Sequence, residues 1–177
     1  LVLGPVLVGA GFTAALALLR MQENRQTPEL GPLAVTGATG GVGSLAVDIF
    51  SAAGYEVHAV SGKPEQTRYL ESIGASTVLG RDALATTRPM ESARFGGGLD
   101  NVGGPMLVSL LAQTTPYGND AAAGLAASAD LDATVMPFII RGVSLLGVAS
   151  AGTPRAIRDA VWQHLASDWK PRHLDTI

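Results

Sequence analysis

The residues with the clearest chemical meaning form a glycine-rich run, Gly37-Ala38-Thr39-Gly40-Gly41-Val42-Gly43, which follows a short apolar segment. The run fits the dinucleotide fingerprint G-x-G-x-x-G with alanine in the first position and with Gly40 and Gly43 in the other two. Glycines here permit a tight turn close to a pyrophosphate, and N–H groups near Gly41 and Val42 face the phosphates. The run therefore predicts a dinucleotide site, and the alternative is a tight structural turn without a ligand.

Residues after the second predicted strand indicate which dinucleotide binds. An NAD-binding protein places a carboxylate about 20 residues beyond the fingerprint, where it holds the ribose hydroxyls. This chain has Ser61-Gly62-Lys63 there and no acid. A hydroxyl and an ammonium group would hold a 2′-phosphate that a carboxylate repels, and Arg81, two residues after the third predicted strand, could reach the same phosphate from the neighbouring loop. We therefore expect NADPH; the alternative is that Lys63 and Arg81 are solvated surface charges.

Motifs of several other enzyme classes are missing from the sequence. None of the three tyrosines is followed four residues later by the lysine of a short-chain dehydrogenase, and no Gly-Lys pair is followed by serine or threonine as in a P-loop. Zero cysteines exclude thiol catalysis and the cysteine ligands of a zinc alcohol dehydrogenase within this chain, so we expect no metal site.

No catalytic acid is assigned, because His58, His164 and His173 fall away from the predicted cleft. Asp100 is expected to cap the core or contact a ribose.

The elements that must position these residues alternate between strands and helices, which is typical of a parallel α/β sheet. Short apolar runs predict strands at residues 33–36, 55–61, 77–79, 99–102, 120–123 and 143–148. Helices are predicted at residues 11–23, 44–53, 63–73, 105–113, 134–141 and 154–166, with one loose helix past Arg81 that contains Pro89 and Phe95. The sequence thus predicts an α/β fold with a doubly wound, six-stranded parallel sheet, a Rossmann fold.

Length and composition limit the class of protein. The 177 residues correspond to one domain, residues 1–177, in which residues 1–26 form a lead-in segment and helix. A net charge of −3 offers no cationic face to a nucleic acid. Residues 1–19 are uncharged, but glycine and proline interrupt them and no basic flank precedes them, so we expect neither a membrane span nor a signal peptide. Leu1 is not an initiator residue, so we expect a piece of a longer protein, and zero cysteines favour the cytoplasm.

Several motifs together resemble the nucleotide-binding domain of the medium-chain dehydrogenase/reductase superfamily, over nearly all of the chain. They are Gly11-Phe12-Thr13-Ala14, Val35-Thr36 with the glycine run and Ser44, Val60-Ser61-Gly62, Val135-Met136-Pro137-Phe138-Ile139 and Leu146-Gly147-Val148. More narrowly they are similar to the zinc-free quinone oxidoreductase branch and its acrylyl-CoA reductase group. The chain departs from that group at Lys63, where arginine is expected, at Asn101-Val102-Gly103, and at Asn119-Asp120, which places a charge in the fifth strand.

The resemblance implies NADPH-dependent reduction of an activated carbon-carbon double bond, in an acrylyl thioester, enone or quinone, by hydride transfer. It also implies a companion catalytic domain, absent from this chain, that supplies most contacts to the small-molecule substrate, so the fragment alone is expected to be inactive. The matching cofactor positions are Thr39, Gly40, Gly41, Val42, Ser61, Lys63 and Arg81 on the phosphate side, and Asn101, Val102, Gly124, Leu125, Phe138 and Ile139 on the nicotinamide side. A homodimer through strand 143–148 is expected. The alternative is a non-catalytic NADPH-binding sensor or interaction module.

Overall fold

The computed structural model describes residues 7–177 and contains one sheet of six parallel strands. The strands are β1 Leu33–Thr36, β2 Val57–Val60, β3 Thr77–Leu79, β4 Phe95–Asp100, β5 Thr114–Ala122 and β6 Ser144–Gly147. Their spatial order is β3-β2-β1-β4-β5-β6, the order of a doubly wound dinucleotide-binding sheet. The predicted Rossmann fold is therefore confirmed. Residues 1–6 of the predicted lead-in segment lie outside the described residues.

Helices cover both faces of this sheet. They are α1 Phe12–Glu23, α2 Gly41–Ala52, α3 Thr67–Ser72, α4 Arg81–Leu84, α5 Gly104–Gln113, α6 Met136–Arg141 and α7 Arg155–Ala166. A π-helical turn, Leu7–Gly11, leads into α1, and the single turns Pro28–Leu30 and Pro64–Gln66 are 3₁₀-helical. Between residues 7 and 177, none of the helices has the length and apolar character needed to span a bilayer.

The chain reverses its direction of winding next to β1. From β1 it goes outward to β2 and β3, and then it returns to place β4 on the other side of β1. The loops leaving β1 and β4 therefore diverge and open a crevice at the carboxyl ends of these two strands. Ligands of open α/β sheets bind in such a crevice, and the glycine-rich run lies at this one.

The core is largest where α1 and α2 pack on one face of the sheet. Phe12 and Leu18 of α1 are almost completely buried, and α1 contacts both α2 and α7. β1 is buried along its whole length, as expected for a central parallel strand covered on both faces. Leu33 and Val35 of β1 belong to this large cluster, whereas Ala34 belongs to a smaller cluster on the opposite face.

The fourth strand begins earlier than the sequence predicts. The predicted strand at residues 99–102 shares Leu99 and Asp100 with β4 and has the wrong bounds. The loose helix through Phe95 is wrong, because Phe95 is the first residue of β4 and the helical part is limited to α4. Residues 96–98 are all glycine and carry no apolar signal. A Cβ at Gly97 would lie 2.1 Å from the carbonyl oxygen of Asn119, so the close approach of β5 demands glycine there.

The fifth strand is longer than the predicted segment 120–123. It runs from Thr114 to Ala122, and its pairing with β4 is irregular near the amino end. Tyr117 in this part has a φ of +61° and is 77% exposed. Residues 115–117 are exposed or half-buried, whereas residues 118–121 are buried without a break, so the sequence pattern shows only the carboxyl end of the strand. The strands at residues 33–36 and 77–79 have their predicted bounds, and the remaining elements differ from theirs by a few residues.

A buried polar network ties the end of α1 to β4 and β5. The side-chain amide of Gln26 donates to the carbonyl oxygen of Gly96 at 3.1 Å, and its oxygen accepts the backbone and side-chain N–H groups of Asn119. The side chain of Asn24 donates to the side-chain oxygen of Asn119 and to the hydroxyl of Ser144. Asn119, a polar residue in the middle of the sheet, is therefore fully paired.

Candidate functional site: a cleft at the carboxyl end of the sheet

The loop that leaves β1 forms the turn that the glycine run predicts. Gly37 has a φ of +60°, a left-handed conformation that favours glycine. The N–H of Gly40 donates to the carbonyl oxygen of Gly37 at 2.9 Å, and α2 begins at Gly41, three residues before its predicted start. Because the first N–H groups of a helix have no intrahelical acceptor, those of Gly41 and Val42 are available to an anion.

Gly43 lets α2 pack tightly against this turn. A Cβ at Gly43 would lie 2.3 Å from the carbonyl oxygen of Gly37 and 2.8 Å from the Cα of Ala38. Both are backbone atoms, which no change of rotamer can move. The hydroxyl of Ser44 adds a hydrogen bond to the carbonyl oxygen of Ala38 at 3.1 Å. The last glycine of the fingerprint therefore serves close packing of the helix against the strand.

A cleft of about 850 Å³ opens beside the turn. Its walls come from the loops after β1, β4 and β5, with Arg81 at one end. Most residues predicted to bind a cofactor line it together, namely Thr39, Gly40, Gly41, Val42, Arg81, Asn101, Val102, Gly124 and Leu125. Residues that are distant in the sequence are thus brought to one site.

A smaller pocket of about 40 Å³ adjoins the cleft at the end of β2. Ser61 and Lys63 line this pocket, and Arg81 lines both the pocket and the cleft. The hydroxyl of Ser61 accepts the backbone N–H of Lys63 at 3.1 Å, which leaves its own proton for another acceptor. Within residues 7–177, neither the ammonium of Lys63 nor the guanidinium of Arg81 has a hydrogen-bond or ion-pair partner. The pocket therefore presents unused donors.

Asp100, at the end of β4, fixes the loops around the cleft. It is fully buried and accepts the hydroxyl of Thr36 at 2.6 Å and the backbone N–H of Gly103 at 2.6 Å. Asn101 donates its backbone N–H to the hydroxyl of Thr36 and its side-chain amide to the carbonyl oxygen of Thr36. Burial raises the pKa of Asp100, and the hydrogen bonds that Asp100 accepts from Thr36 and Gly103 lower it. Asp100 does not line the cleft, so it caps the core.

The loop after β5 closes the cleft on the side opposite the β1 turn. Gly124 lies so close to Asn101 that a Cβ would be 2.4 Å from the Asn101 carbonyl oxygen. The N–H of Ala127 donates to the carbonyl oxygen of Val102 at 2.8 Å. Leu125 is 66% exposed and lines the cleft. The loops after β4 and β5 therefore form one continuous wall.

Two predicted residues lie away from the cleft. Phe138 packs against a small apolar cluster of Leu107, Leu111 and Val143, and Ile139 is 76% exposed on α6. Neither residue lines the cleft or the smaller pocket. The structure does not bring them together with the other predicted residues, and their contact with a nicotinamide stays a prediction.

Several lining residues were missed by the sequence analysis. Pro105 and Met106 at the start of α5 line the cleft, as do Ala123 and Ala126 after β5. They carry no charge or strong donor, so their types do not indicate a site. The one available signal is a proline in the first turn of a helix that follows a strand, which marks the position of Pro105.

Among residues 7–177, no histidine, aspartate or glutamate lines this cleft. His58, His164 and His173 each lie within hydrogen-bond distance of a carboxylate elsewhere, and none of them lines the cleft. In the part of the chain that the structure describes, no three His, Cys, Asp or Glu side chains are grouped so that they could hold a metal ion.

The strand order, the glycine turn and the cleft define a doubly wound α/β domain of the dinucleotide-binding type. The chain belongs to the zinc-binding dehydrogenase family, whose sequence model matches residues 41–167. This finding confirms the resemblance to the medium-chain dehydrogenase/reductase superfamily.

Three known proteins are similar over almost the whole chain. Acrylyl-CoA reductase AcuI of Ruegeria pomeroyi is 48% identical over 161 residues, which are 90% of this chain and 49% of that protein. The crystal structure of Bacillus subtilis protein YhfP with NAD bound has a TM-score of 0.93 at 44% identity and covers 95% of this chain and 52% of its own. Escherichia coli K-12 YhdH with bound NADPH has a TM-score of 0.91 at 44% identity, with 94% and 52% covered. The chain therefore spans about half the length of these relatives.

Proposed function

We propose that this chain is the NADPH-binding domain of an oxidoreductase that reduces an activated carbon-carbon double bond by hydride transfer. The observation that carries the proposal is the cleft beside the β1 turn, which joins a helix N-terminus to a pocket of basic residues. The similarity to an acrylyl-CoA reductase favours an acrylyl thioester as the substrate. An enone or a quinone presents the same electron-poor double bond. The proposed enzyme works without zinc, as in the branch that its motifs resemble.

The cleft fits a nicotinamide dinucleotide in size and in chemistry. Its volume of about 850 Å³ lies within the range of small-molecule and cofactor sites. Residues 39–42 would hold the diphosphate at the start of α2, and Ser61, Lys63 and Arg81 would hold a 2′-phosphate. Asn101, Val102, Gly124 and Leu125 would face the nicotinamide half.

The residues of this chain bind and orient, and the cofactor supplies the hydride when it is bound. Hydride transfer depends mainly on holding two reactants in the right geometry. The hydrogen bond from Thr36 to Asp100 and the close contact of Gly124 with Asn101 hold the nicotinamide-side loops in place. We propose that a companion domain outside this chain supplies the substrate contacts and the proton donor, so this chain alone is expected to be inactive.

The protein is expected to bind NADPH at least about tenfold more tightly than NADH. Each charge-assisted hydrogen bond to the 2′-phosphate contributes about 1.5 to 3 kcal/mol, which corresponds to roughly 10- to 150-fold in affinity. The structures of two relatives hold different cofactors, NAD in one and NADPH in the other. Isothermal titration calorimetry with both cofactors measures the ratio.

Two variants serve as a matched pair in this titration. Lys63→Ala is expected to weaken NADPH binding and to leave NADH binding unchanged. Arg68→Ala removes an exposed cation from α3 that lines neither pocket, so both affinities are expected to stay at their wild-type values. Equal affinities of the wild-type protein for NADPH and NADH would contradict the proposed preference.

A second candidate function is a non-catalytic module that binds NADPH as a signal. It is favoured by the lack of a candidate proton donor among the described residues that line the cleft. The exposed apolar side chains of Ile139 and Ile140 would then serve as a contact surface. Assaying the full-length protein for NADPH oxidation with acryloyl-CoA or a quinone separates the two: turnover supports the enzyme, and binding without turnover supports the sensor.

We also propose a homodimer through β6. This strand lies at the edge of the sheet and pairs with β5 alone among the described strands. Its sequence, Ser-Leu-Leu-Gly, lacks the charges and prolines that protect edge strands from pairing. Two copies of β6 related by a twofold axis would therefore join two sheets into one.

The dimer is tested by light scattering at micromolar concentration. We expect the mass of two chains for the wild-type protein and of one chain for Gly147→Lys. A side chain at Gly147 meets no atom within 4 Å, so the variant can fold, while lysine at an edge opposes strand pairing. A monomeric wild-type protein would count against this interface.

A further inference from the structure

We infer that Gly62 positions Arg81 and thereby sets the preference for a 2′-phosphorylated cofactor. The inference rests on the proposed NADPH function and adds to it a residue that binds no ligand itself. Gly62 acts only through the guanidinium that lies on it, so it is a positioning residue.

Backbone pairing between β2 and β3 brings Arg81 next to Gly62. Val60 is the register partner of Leu79, and the N–H of Ser61 donates to the carbonyl oxygen of Leu79 at 2.9 Å. Gly62 and Arg81 each lie two residues beyond this register pair. Because the strands are parallel, both residues emerge at the same edge of the sheet.

The flat face of the Arg81 guanidinium lies against Gly62. A Cβ at Gly62 would be 2.6 Å from Nε, 2.8 Å from Cζ and 3.0 Å from Nη2 of Arg81. Similar distances to three atoms of one planar group place the plane of that group over the glycine. The N–H groups of a guanidinium point outward in its plane, so the contact of its face with Gly62 does not occupy them.

The surroundings of this contact suit a phosphate dianion. Ser61, Lys63 and Arg81 line the same small pocket, and no carboxylate of the described residues lines the pocket or the adjoining cleft. The Ser61 hydroxyl accepts the N–H of Lys63, which orients its proton toward another acceptor. An arginine held flat on Gly62 completes a set of three donors from two neighbouring loops.

Alanine at position 62 would disturb this arrangement without disturbing the backbone. The φ of Gly62 lies outside the left-handed region, so an L-residue can adopt its conformation. The three atoms nearest to the added methyl group all belong to the flexible side chain of Arg81, which relieves the conflict by rotating away. Gly62→Ala is therefore expected to fold and to lose the position of the guanidinium over residue 62.

The test is calorimetric titration of Gly62→Ala with NADPH and NADH. We expect the NADPH affinity to fall about tenfold, the loss of roughly one charge-assisted hydrogen bond, and the NADH affinity to change less than about twofold. Gly80→Ala is the matched control, because Gly80 directly precedes Arg81, has a φ of −71° and has nothing within 4 Å of a Cβ. This control is expected to leave both affinities unchanged.

A double-mutant cycle shows whether Gly62 acts through Arg81. In an Arg81→Ala background, Gly62→Ala is expected to have no further effect on NADPH affinity. A wild-type NADPH:NADH ratio in Gly62→Ala would overturn the inference, and so would additive losses in the double variant. Equal binding of NADPH and NADH by the wild-type protein would contradict the preference on which the inference rests, and binding of neither would contradict the proposed function itself.

Discussion

Gly43→Val is expected to abolish NADPH binding, with an increase in Kd of about 100-fold or more. A single Cβ at this position would already lie 2.3 Å from the carbonyl oxygen of Gly37 and 2.8 Å from the Cα of Ala38. Since both atoms belong to the backbone of the turn, α2 would have to move and carry its first N–H groups away from the diphosphate. Losing several charge-assisted hydrogen bonds, each contributing about 1.5 to 3 kcal/mol, accounts for an effect of this size. Titration calorimetry with NADPH measures this increase in Kd.

Two further variants separate a damaged site from a damaged fold. Gly43→Ala displaces the helix less and is expected to give an intermediate loss of affinity. Gly152→Val adds a side chain where nothing lies within 4 Å and is expected to bind NADPH like the wild-type protein. Thermal unfolding followed by circular dichroism shows whether each variant is folded. Undiminished affinity in a folded Gly43→Val protein would show that α2 does not depend on this contact.

The second large effect is expected in the pH dependence of stability, and it arises from Asp120 in β5. This side chain is completely buried, its Oδ2 accepts the hydroxyl of Thr114 at 2.9 Å, and its Oδ1 has no hydrogen-bond partner among the described residues. Burial raises the pKa of Asp120 to about 7; the bond from Thr114 opposes the shift and repulsion from Asp100 adds to it. The folded protein therefore keeps a proton that the unfolded chain loses at lower pH.

The sign of the pH effect follows from this raised pKa. The stabilisation is complete below the unfolded pKa of about 3.8 and is lost as the pH rises through about 7. The difference between the folded and unfolded pKa values of Asp120 corresponds to a decrease in the free energy of unfolding on the order of 4 kcal/mol over this pH range. In urea unfolding between about pH 4 and pH 8, Asp120→Asn should therefore lose stability less steeply than the wild-type protein, because asparagine still accepts the Thr114 hydroxyl and does not titrate.

The matched control for this measurement is Asp130→Asn. Asp130 is exposed in the loop after β5, so its replacement is expected to leave the wild-type slope intact. A slope in Asp120→Asn equal to that of the wild-type protein would show that Asp120 is ionised in the folded state throughout this range.

Local sequence patterns are enough to predict the half of the sheet formed by β1, β2 and β3. Its strands at residues 33–36 and 77–79 lie where they are predicted, because they are short apolar runs bounded by turns. The amino-terminal part of β4 is not predicted because residues 96–98 are glycine, which the close approach of neighbouring backbone requires and which gives no apolar signal. The buried position of Asp120 likewise depends on strand pairing that no local pattern contains.

The candidate site shows the same division between local and long-range information. The phosphate turn could be predicted because the spacing of Gly40 and Gly43 is fixed by the geometry of one strand, one turn and one helix. The contact of Arg81 with Gly62 could not, since it requires the register of β2 against β3. Met106 enters the cleft through the packing of α5, and its residue type gives no sign of that position.

A crystal structure of the protein grown with NADPH tests the central claim most directly. We expect the diphosphate within hydrogen-bond distance of the backbone N–H groups of Gly41 and Val42, and the 2′-phosphate between Ser61 and Arg81. A cofactor whose diphosphate lies away from the start of α2, or a cleft closed by side chains that leaves no room for adenosine, would contradict the proposed site.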